Sequence, residues 1–323
     1  MIRLGAGLLL GGMMACHGAI AAEAPARSPR QEAAIRQALK SLRSQDVSVR
    51  RDAIRLLGRE KAVEAKPALL EMFSRETPRL RWYVMAALAE LGAREIIDPL
   101  IELLAADSWA AKGEGLLAPL DAGHPFGYWH GDGRSGVVHC LGKLKAKRAV
   151  PSLIRVLEEK GKGKGYLGHV IAPVLGESGD AKAVQPLKRV LQTAELAATP
   201  RNSPWYRPQQ LARDKARVNA LAARALLQLK DRSGQAVLLR ELRSEDPYRR
   251  EFAAETFARF GTKQDVPVLA GCLTDKYHGV CRWACAGLQR ITGISFQTSD
   301  TRHAPEYYLS DWIRWWAKNK DRW

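Results

Sequence analysis

The stretch from Pro78 to Leu104 constrains the fold most narrowly, because it encodes two short amphipathic helices in succession. Apolar residues recur at helical spacing in its first half and again in its second half. Gly92, between the halves, is the residue type that most readily ends a helix, and Pro99 stands in the first turn of the second helix, where a missing N–H costs nothing. The stretch therefore predicts a helical hairpin, which cannot bury its apolar face alone.

Copies of this hairpin recur along the chain. Their second helices are marked by prolines that precede a leucine by one or two positions, namely Pro67, Pro99, Pro151, Pro186 and Pro267. The steps from Pro67 to Pro99 and from Pro151 to Pro186 each span about 32–35 residues, a period typical of helical arrays. We therefore predict an all-α solenoid, a superhelix of about six hairpins over 44–293. A linker and a capping helix are predicted at 23–43.

The repeats resemble a known family. In the first copy, Asp46 is followed by Val49-Arg50 and by Leu57-Gly58, and a later second helix begins Val150-Pro151-Ser152-Leu153. This string resembles the HEAT-like repeats of phycobilisome lyases, and the resemblance covers about 44–291. It implies an α-solenoid fold. It implies little about function, because the same repeat serves as scaffold, as adaptor and, in a few proteins, as enzyme.

The C-terminal segment 294–323 is rich in tryptophan. Trp312, Trp315 and Trp316 are spaced to share one helix face. We expect them to cap the last repeat, because an uncapped repeat leaves apolar surface in water; the alternative is an aromatic binding platform. The segment is similar to the ending of many exported bacterial HEAT-repeat proteins.

The N-terminal segment 1–22 has the pattern of a signal peptide. Arg3 precedes the apolar, glycine-rich run Leu4–Ala15, and small residues follow at Ala19-Ile20-Ala21. The apolar run is about 12 residues long and a membrane span needs about 20. We therefore expect an exported protein of the periplasm or cell envelope that is not integral to the membrane. The alternative mature form is a lipoprotein anchored through Cys16.

The chain is strongly basic, with a formal net charge of +17 in a composition that is 46% hydrophobic and 26% charged. For an exported protein we expect no nucleic acid partner. The anionic neighbours that remain are lipid headgroups, surface polysaccharide and acidic proteins. The alternative is that the basic residues form only the solvated faces of the solenoid.

Two insertions interrupt the repeat period. Pro99 and Pro151 are about 50 residues apart, and the segments 105–134 and 193–213 each add about 20 residues to one repeat. Both follow a second helix, so we expect both to project from one edge of the solenoid, about 20 Å apart. Insertions of this kind often form a binding face.

Aromatic side chains on Pro- and Gly-rich loops are good contact anchors, because they bury much area with few rotatable bonds. The predicted contact residues are Trp109, Phe126, Tyr128, Trp129, Trp205, Tyr206 and Arg207. The alternative is that these side chains fold back onto the solenoid. We predict a monomeric, non-enzymatic protein-interaction scaffold or adaptor of the cell envelope, without a cofactor, which binds a protein through the insertions and its basic helix faces.

Two other functions are alternatives to the scaffold. A metal-dependent or cofactor-dependent activity would centre on His124, His130 and His139, although their spacing matches no common zinc module. The motifs Gly-x-Ser-x-Gly and His-Glu-x-x-His and the phosphate-binding loop do not occur. The other alternative is binding of an anionic polymer by charge alone.

Cysteines cluster near the C-terminus. In an exported protein the default expectation is a disulfide, here from Cys272 to Cys281 or Cys285. The alternative is a zinc site formed by these three residues together with His278.

Overall fold

The computed structural model describes residues 27–105, 134–158, 167–192, 208–296 and 305–323. Within these ranges the regular secondary structure is helical, and no strand occurs. The predicted signal peptide lies outside the described residues.

The α-helices of the described ranges are α1 (Pro29–Ser41), α2 (Val47–Arg59), α3 (Lys66–Arg75), α4 (Pro78–Glu90), α5 (Ile97–Ala105), α6 (Arg134–Lys143), α7 (Val150–Glu158), α8 (Gly168–Ser178), α9 (Val184–Gln192), α10 (Pro208–Gln228), α11 (Gln235–Glu241), α12 (Pro247–Phe260), α13 (Val266–Gly271), α14 (His278–Thr292) and α15 (Leu309–Asn319). Single 3-10 turns precede several of the second helices, as at Val63–Ala65 and Arg94–Ile96.

Six hairpins follow one another, from α2/α3 to α12/α13. Their first helices form one layer, in which α2 contacts α4, α4 contacts α6, and so on to α14. In the second layer α5 contacts α7 and α7 contacts α9. The predicted all-α solenoid of about six hairpins is thereby confirmed.

The solenoid has two edges. At the first, here called the turn edge, the first helix of each hairpin turns into its second helix. At the other, here called the insertion edge, the second helix of one hairpin leads to the first helix of the next. The chain crosses from edge to edge with every helix, so equivalent loops of successive hairpins share an edge.

The first helices approach each other closely at glycine positions. A Cβ atom on Gly58 of α2 would lie 2.9 Å from the Cα atom of Ala87 in α4. A Cβ atom on Gly176 of α8 would lie 2.8 Å from the Cα atom of Ala225 in α10. The glycine of the Leu-Gly motif is therefore required for this packing, because any side chain would push the two helices apart.

A left-handed residue ends the first helix in five of the hairpins. Gly92 and Gly179 have φ of 67° and 68° at this position, as glycine does readily. Lys61, Lys145 and Lys230 hold the same position with φ of 48°, 50° and 65°. The break predicted at Gly92 is thus a left-handed turn that recurs along the turn edge.

The tryptophan-rich segment covers the end of the solenoid. Trp312 is only 2% exposed and packs edge-on against Phe296 and Trp315, with ring centroids 4.9 and 5.4 Å away. Trp315 and Trp316 are partly buried against the same apolar cluster, and α15 contacts both α13 and α14. The capping role predicted for these tryptophans is confirmed.

Candidate interaction surfaces

The predicted contact residues lie outside the described ranges. Four of them fall in 106–133 and three in 193–207. They are Trp109, Phe126, Tyr128, Trp129, Trp205, Tyr206 and Arg207. What the structure does show is how the solenoid is built where these segments leave it and return.

Both insertions are anchored on the insertion edge. The first connects the end of α5 at Ala105 to the start of α6 at Arg134, and the second connects the end of α9 at Gln192 to Pro208, where α10 begins. Two complete hairpins, α6/α7 and α8/α9, stand between them. Helix α10 begins inside the predicted insertion 193–213, so the last residues of that segment are helical.

At two ordinary short loops of the insertion edge, an arginine closes the loop. Arg50 near the start of α2 donates from Nη1 to the carbonyl oxygens of Ser44 and Gln45, at 2.8 and 3.1 Å. Its Nε donates to the carboxylate of Glu76, just after α3, at 3.1 Å. One side chain thus ties the loop before its hairpin to the loop after it.

The same device recurs near the C-terminus. Arg250 near the start of α12 donates from Nη1 to the carbonyl oxygens of Ser244 and Glu245, at 2.9 and 3.0 Å. Its Nε and Nη2 donate to the two carboxylate oxygens of Asp275, at 2.8 and 2.9 Å. We call Arg50 and Arg250 the loop clamps. The hydrogen bonds from Arg250 hold the pKa of Asp275 below its usual value.

In one hairpin beside each insertion this position is incompletely satisfied. Arg81 stands at the same offset before the left-handed Gly92 as Arg50 does before Lys61, and Asn219 stands at that offset before Lys230. Arg81 donates from Nη2 to the carbonyl oxygen of Glu76 at 3.1 Å.

However, the Nε atom of Arg81 and the Oδ1 atom of Asn219 are buried without a hydrogen-bond partner among the described residues. An unsatisfied buried polar atom costs about 1–3 kcal/mol. A buried polar atom with unmet hydrogen-bonding capacity therefore lies in one hairpin beside each insertion.

The C-terminal end of the first insertion enters the protein interior directly. Arg134 and Ser135, the first residues of α6, are 4% and 7% exposed. Arg134 also holds the clamp position, at the same offset before the left-handed Lys145. The first insertion therefore joins the solenoid at a buried point on its edge.

Of the three predicted metal-binding histidines, the structure locates only His139, which lies at the surface of α6. Partial burial of the imidazole and the charge of Lys143 lower the pKa of His139, while Glu90 and Glu177 oppose that shift. His124 and His130 lie outside the described residues. Within the described ranges no group of three or more His, Cys, Asp or Glu residues could hold a metal ion.

The predicted disulfide is not formed in the structure. Cys272, Cys281 and Cys285 are all buried thiols in the reduced state. The Sγ atom of Cys281 is directed at the carbonyl oxygens of Leu273 and Asp275, at 3.5 and 3.2 Å, rather than at another sulfur. Burial raises the pKa of Cys272 to about 12. The alternative zinc site with His278 does not form in these described residues either.

The basic faces of the last first-layer helices are occupied by internal contacts. Arg224 of α10 lies over the ring of Phe252, 5.3 Å from its centroid, and pairs with Glu255 at 3.3 Å. Arg282 lies 5.2 Å from the ring centroid of Trp283. Arg259 of α12 lies 5.1 Å from the centroid of the same Trp283 ring in α14. The contacts of Arg224 and Arg259 stabilise the stacking of α10, α12 and α14. This part of the basic surface is less available to a partner than charge counting indicates.

No helix in the described ranges combines the length and the apolar character needed to cross a bilayer.

Comparison with known proteins gives one family and one fold. The family model of HEAT repeats matches residues 32–115 and 209–289, just over half of the chain. No curated protein matches the sequence. Among solved structures, the chain is similar to one from the complex of CpcE and CpcF of phycocyanin lyase from Nostoc sp. PCC7120. The TM-score is 0.52 at 20% identity, and the match covers 91% of this chain and 96% of that chain. At this identity the similarity shows the fold alone.

Proposed function

The chain belongs to the HEAT-repeat family, and from that premise we propose that it is a non-enzymatic protein-interaction scaffold of the cell envelope whose partner binds at the insertion edge. The observation that carries the proposal is the contrast along this edge. Two short loops are closed by the clamps Arg50 and Arg250, whereas in one hairpin beside each insertion the clamp position holds an unsatisfied buried atom, on Arg81 and on Asn219.

The repeat architecture supports a protein partner. A solenoid buries its core between neighbouring repeats and leaves long edges free to carry a binding surface. The structurally similar Nostoc chain was solved in a complex of two proteins, CpcE and CpcF. A partner protein is therefore a reasonable occupant for an edge of this chain.

The sequence of the insertions supports the choice of edge. Trp129 lies in the first insertion, between Gly127 and Gly131, and Trp205 lies in the second, between Pro204 and Pro208. Tryptophan dominates the energetics of many protein interfaces, because it buries a large area with little loss of conformational entropy. A partner that spans both insertions would contact two such anchors across two hairpins.

The envelope location rests on the predicted signal peptide. Intact mass of the protein purified from its native cells tests it. A mature chain beginning at Glu23 supports export, whereas a lipid-modified N-terminus at Cys16 would make the scaffold membrane-anchored. An unprocessed chain would contradict the envelope assignment.

The absence of catalysis is also part of the proposal. The histidine alternative requires metal at His124, His130 and His139, and elemental analysis of purified protein measures it directly. Less than about 0.1 metal ion per chain is expected. Stoichiometric metal that is lost on changing His139 to Ala would overturn the non-enzymatic proposal.

Affinity capture from an envelope extract tests the binding edge. The bait is the mature protein, beside a Trp129→Ala/Trp205→Ala variant. The matched control is Tyr248→Ala/Tyr307→Ala, which removes two aromatic side chains that are 69% and 68% exposed and lie outside both insertions. All three proteins are first shown to have the same helical content and melting temperature.

We expect one partner to be retained by the wild type and by the control variant and to be lost by the insertion variant. The captured protein is then purified and rebound to confirm a direct contact. Equal retention by all three baits would remove the insertion edge as the site. Failure to retain any partner at native ionic strength would contradict the scaffold function.

A further inference from the structure

The turn edge is cross-linked by ion pairs between successive hairpins. Lys66 pairs with Glu95 at 2.7 Å, and Arg232 pairs with Asp265 at 2.6 Å. Two more pairs, Arg148–Asp98 at 3.3 Å and Lys188–Asp231 at 2.8 Å, join other neighbours. The contacts show that the turns of adjacent hairpins lie side by side.

The acidic residues of the described turns all have partners within the chain. The pairs above engage Glu95, Asp98, Asp231 and Asp265, and Glu64 pairs with Arg27 at 2.6 Å. Glu60 pairs with the adjacent Arg59 at 3.2 Å. Asp180 accepts a hydrogen bond from the backbone N–H of Lys182 at 2.9 Å. Six of these seven carboxylates are thus paired with a cation within the chain, and Asp180 is held by a backbone amide.

The remaining basic residues of the turns form a surplus. Each is exposed, and none makes an ion pair with a described carboxylate. One or two occur in every hairpin turn from the first to the sixth. They are Lys61, Arg94, Lys145, Lys147, Lys182, Lys230 and Lys263. We call this set the turn-edge cations.

Stacking sets the spacing of the turn-edge cations. Packed helices lie about 8–10 Å apart, so six turns place cationic groups roughly every 10 Å along a row of about 50 Å. The row follows one edge and is about one residue wide. Its complement is a linear polymer with negative charges at comparable intervals.

We propose that the turn edge binds an acidic polysaccharide, held by the turn-edge cations. The spacing disfavours duplex DNA, which carries one charge per about 1.7 Å of its axis. Single-stranded nucleic acid is usually held by aromatic stacking, and the described turns carry no aromatic residue. A bilayer surface calls for several inserted apolar side chains, whereas Val63 is the single large apolar residue exposed in the described turns.

This binding goes beyond the proposed scaffold function and uses the opposite edge. A protein bound at the insertion edge and a polysaccharide bound at the turn edge do not compete for residues. Such a chain would hold its partner protein on an anionic surface polymer. The two proposals can fail separately, because their variants share no position.

The test uses heparin fragments of defined length as the probe, with binding followed by fluorescence anisotropy over a range of salt concentrations. The turn variant carries Gln at Lys61, Lys145, Lys182, Lys230 and Lys263. The control variant carries Gln at five exposed basic residues that lie outside the turns and make no ion pair with a described carboxylate. These are Lys40, Arg43, Arg155, Arg243 and Lys276. Both variants have the same net charge.

We expect the turn variant to bind at least about 10-fold more weakly and to show a shallower salt dependence, because fewer counterions are released. The control variant should stay within about twofold, since its cations lie away from the turn edge. Affinity for wild type should rise with fragment length until the fragment spans the row. Trp129→Ala/Trp205→Ala should bind heparin as the wild type does.

Equal loss in both variants would overturn the proposal, because net charge alone would then explain binding. Tighter binding of a DNA duplex or of phosphatidylglycerol vesicles, lost in the same turn variant, would reassign the edge to that ligand. If the turn variant with its five substitutions does not fold, the double variant Lys61→Gln/Lys263→Gln takes its place. It removes the cation at each end of the row. The proposal then requires the length dependence of affinity to weaken for the longest fragments.

Discussion

Asp265 is fully buried, and its carboxylate accepts two hydrogen bonds from the guanidinium of Arg232 in the preceding hairpin, at 2.6 and 3.0 Å. The carboxylate also accepts a hydrogen bond from the backbone N–H of Thr262 at 2.8 Å. A charge without access to water is thus paired across the junction of two repeats. The stability of this junction should therefore depend on its ion pair far more than the stability of the other junctions depends on their ion pairs.

Replacing Asp265 with Ala should lower the free energy of unfolding by about 3–5 kcal/mol, because it leaves Arg232 unpaired and the capping N–H of Thr262 unsatisfied. The matched control is Asp98→Ala, which removes the exposed pair with Arg148 and should cost less than about 1 kcal/mol. Urea titration followed by circular dichroism measures both. Equal effects would show that burial of the Asp265 pair carries no special weight.

Gly58→Ala should destabilise the protein by about 1–3 kcal/mol, because the new Cβ would lie 2.9 Å from the Cα atom of Ala87. Gly271→Ala is the control, since nothing lies within 4 Å of a Cβ at that position. Its effect should be neutral or stabilising by up to about 1 kcal/mol. Thermal denaturation distinguishes them. A neutral Gly58→Ala would mean that α2 and α4 are not in close contact.

Stability should fall on acidification, and part of the fall should come from Asp275. Hydrogen bonds from Arg250, chiefly, lower the pKa of Asp275 below its ordinary value of 3.8, although partial burial opposes the shift. A lowered pKa means that the pair contributes its stability above the unfolded-state pKa and loses it as pH falls through the folded-state value.

Asp275→Asn should therefore be less stable than the wild type at pH 7 and should lose less stability between pH 5 and the acid limit of folding. Melting temperatures measured across this range test the sign. A steeper acid dependence in the variant than in the wild type would contradict it.

The four described cysteines should be present as unreactive thiols. Cys140, Cys272, Cys281 and Cys285 are all buried, and burial raises the pKa of each thiol for which a shift is resolved. In the folded protein they should react with a thiol reagent only slowly, because the thiolate is the reactive form.

After unfolding in denaturant without reductant, all four should become alkylated, as peptide mass analysis would show. A cross-linked peptide joining Cys272 to Cys281 or Cys285 would contradict this prediction and would show that the disulfide expected from the sequence forms. The measurement is best made on protein purified from its native compartment, because the redox conditions there determine whether these cysteines are oxidised.

The hairpins were predictable because their signals are local. Gly92 marks a left-handed turn, and the hairpin predicted from Pro78 to Leu104 corresponds to α4 (Pro78–Glu90) and α5 (Ile97–Ala105). The sequence carries the same kind of local signal for α1, although the prediction of a capping helix at 23–43 did not rest on it. Ser28 and Gln31 form a capping box at its start, a pattern that is readable from the short spacing of the two residues.

The loop clamps were not predictable from the Val-Arg motif that contains one of them. Arg50 and Glu76 are far apart in the sequence, and only the stacking of α2, α3 and α4 shows that they meet. The surroundings of the C-terminal cysteines were not predictable either, for the same reason. Spacing along the chain does not reveal that the Sγ atom of Cys281 faces carbonyl oxygens. Long-range partners require the packed structure.

The most direct test of the scaffold function is the dissociation constant of the partner identified by capture, measured with purified proteins by titration calorimetry. Truncating an interface anchor costs about 2 kcal/mol or more. Trp129→Ala/Trp205→Ala should therefore bind at least about 30-fold more weakly than the wild type. Tyr248→Ala/Tyr307→Ala should bind as the wild type does. If the insertion variant keeps wild-type affinity, or the tyrosine variant loses as much, the partner does not bind through the two insertions.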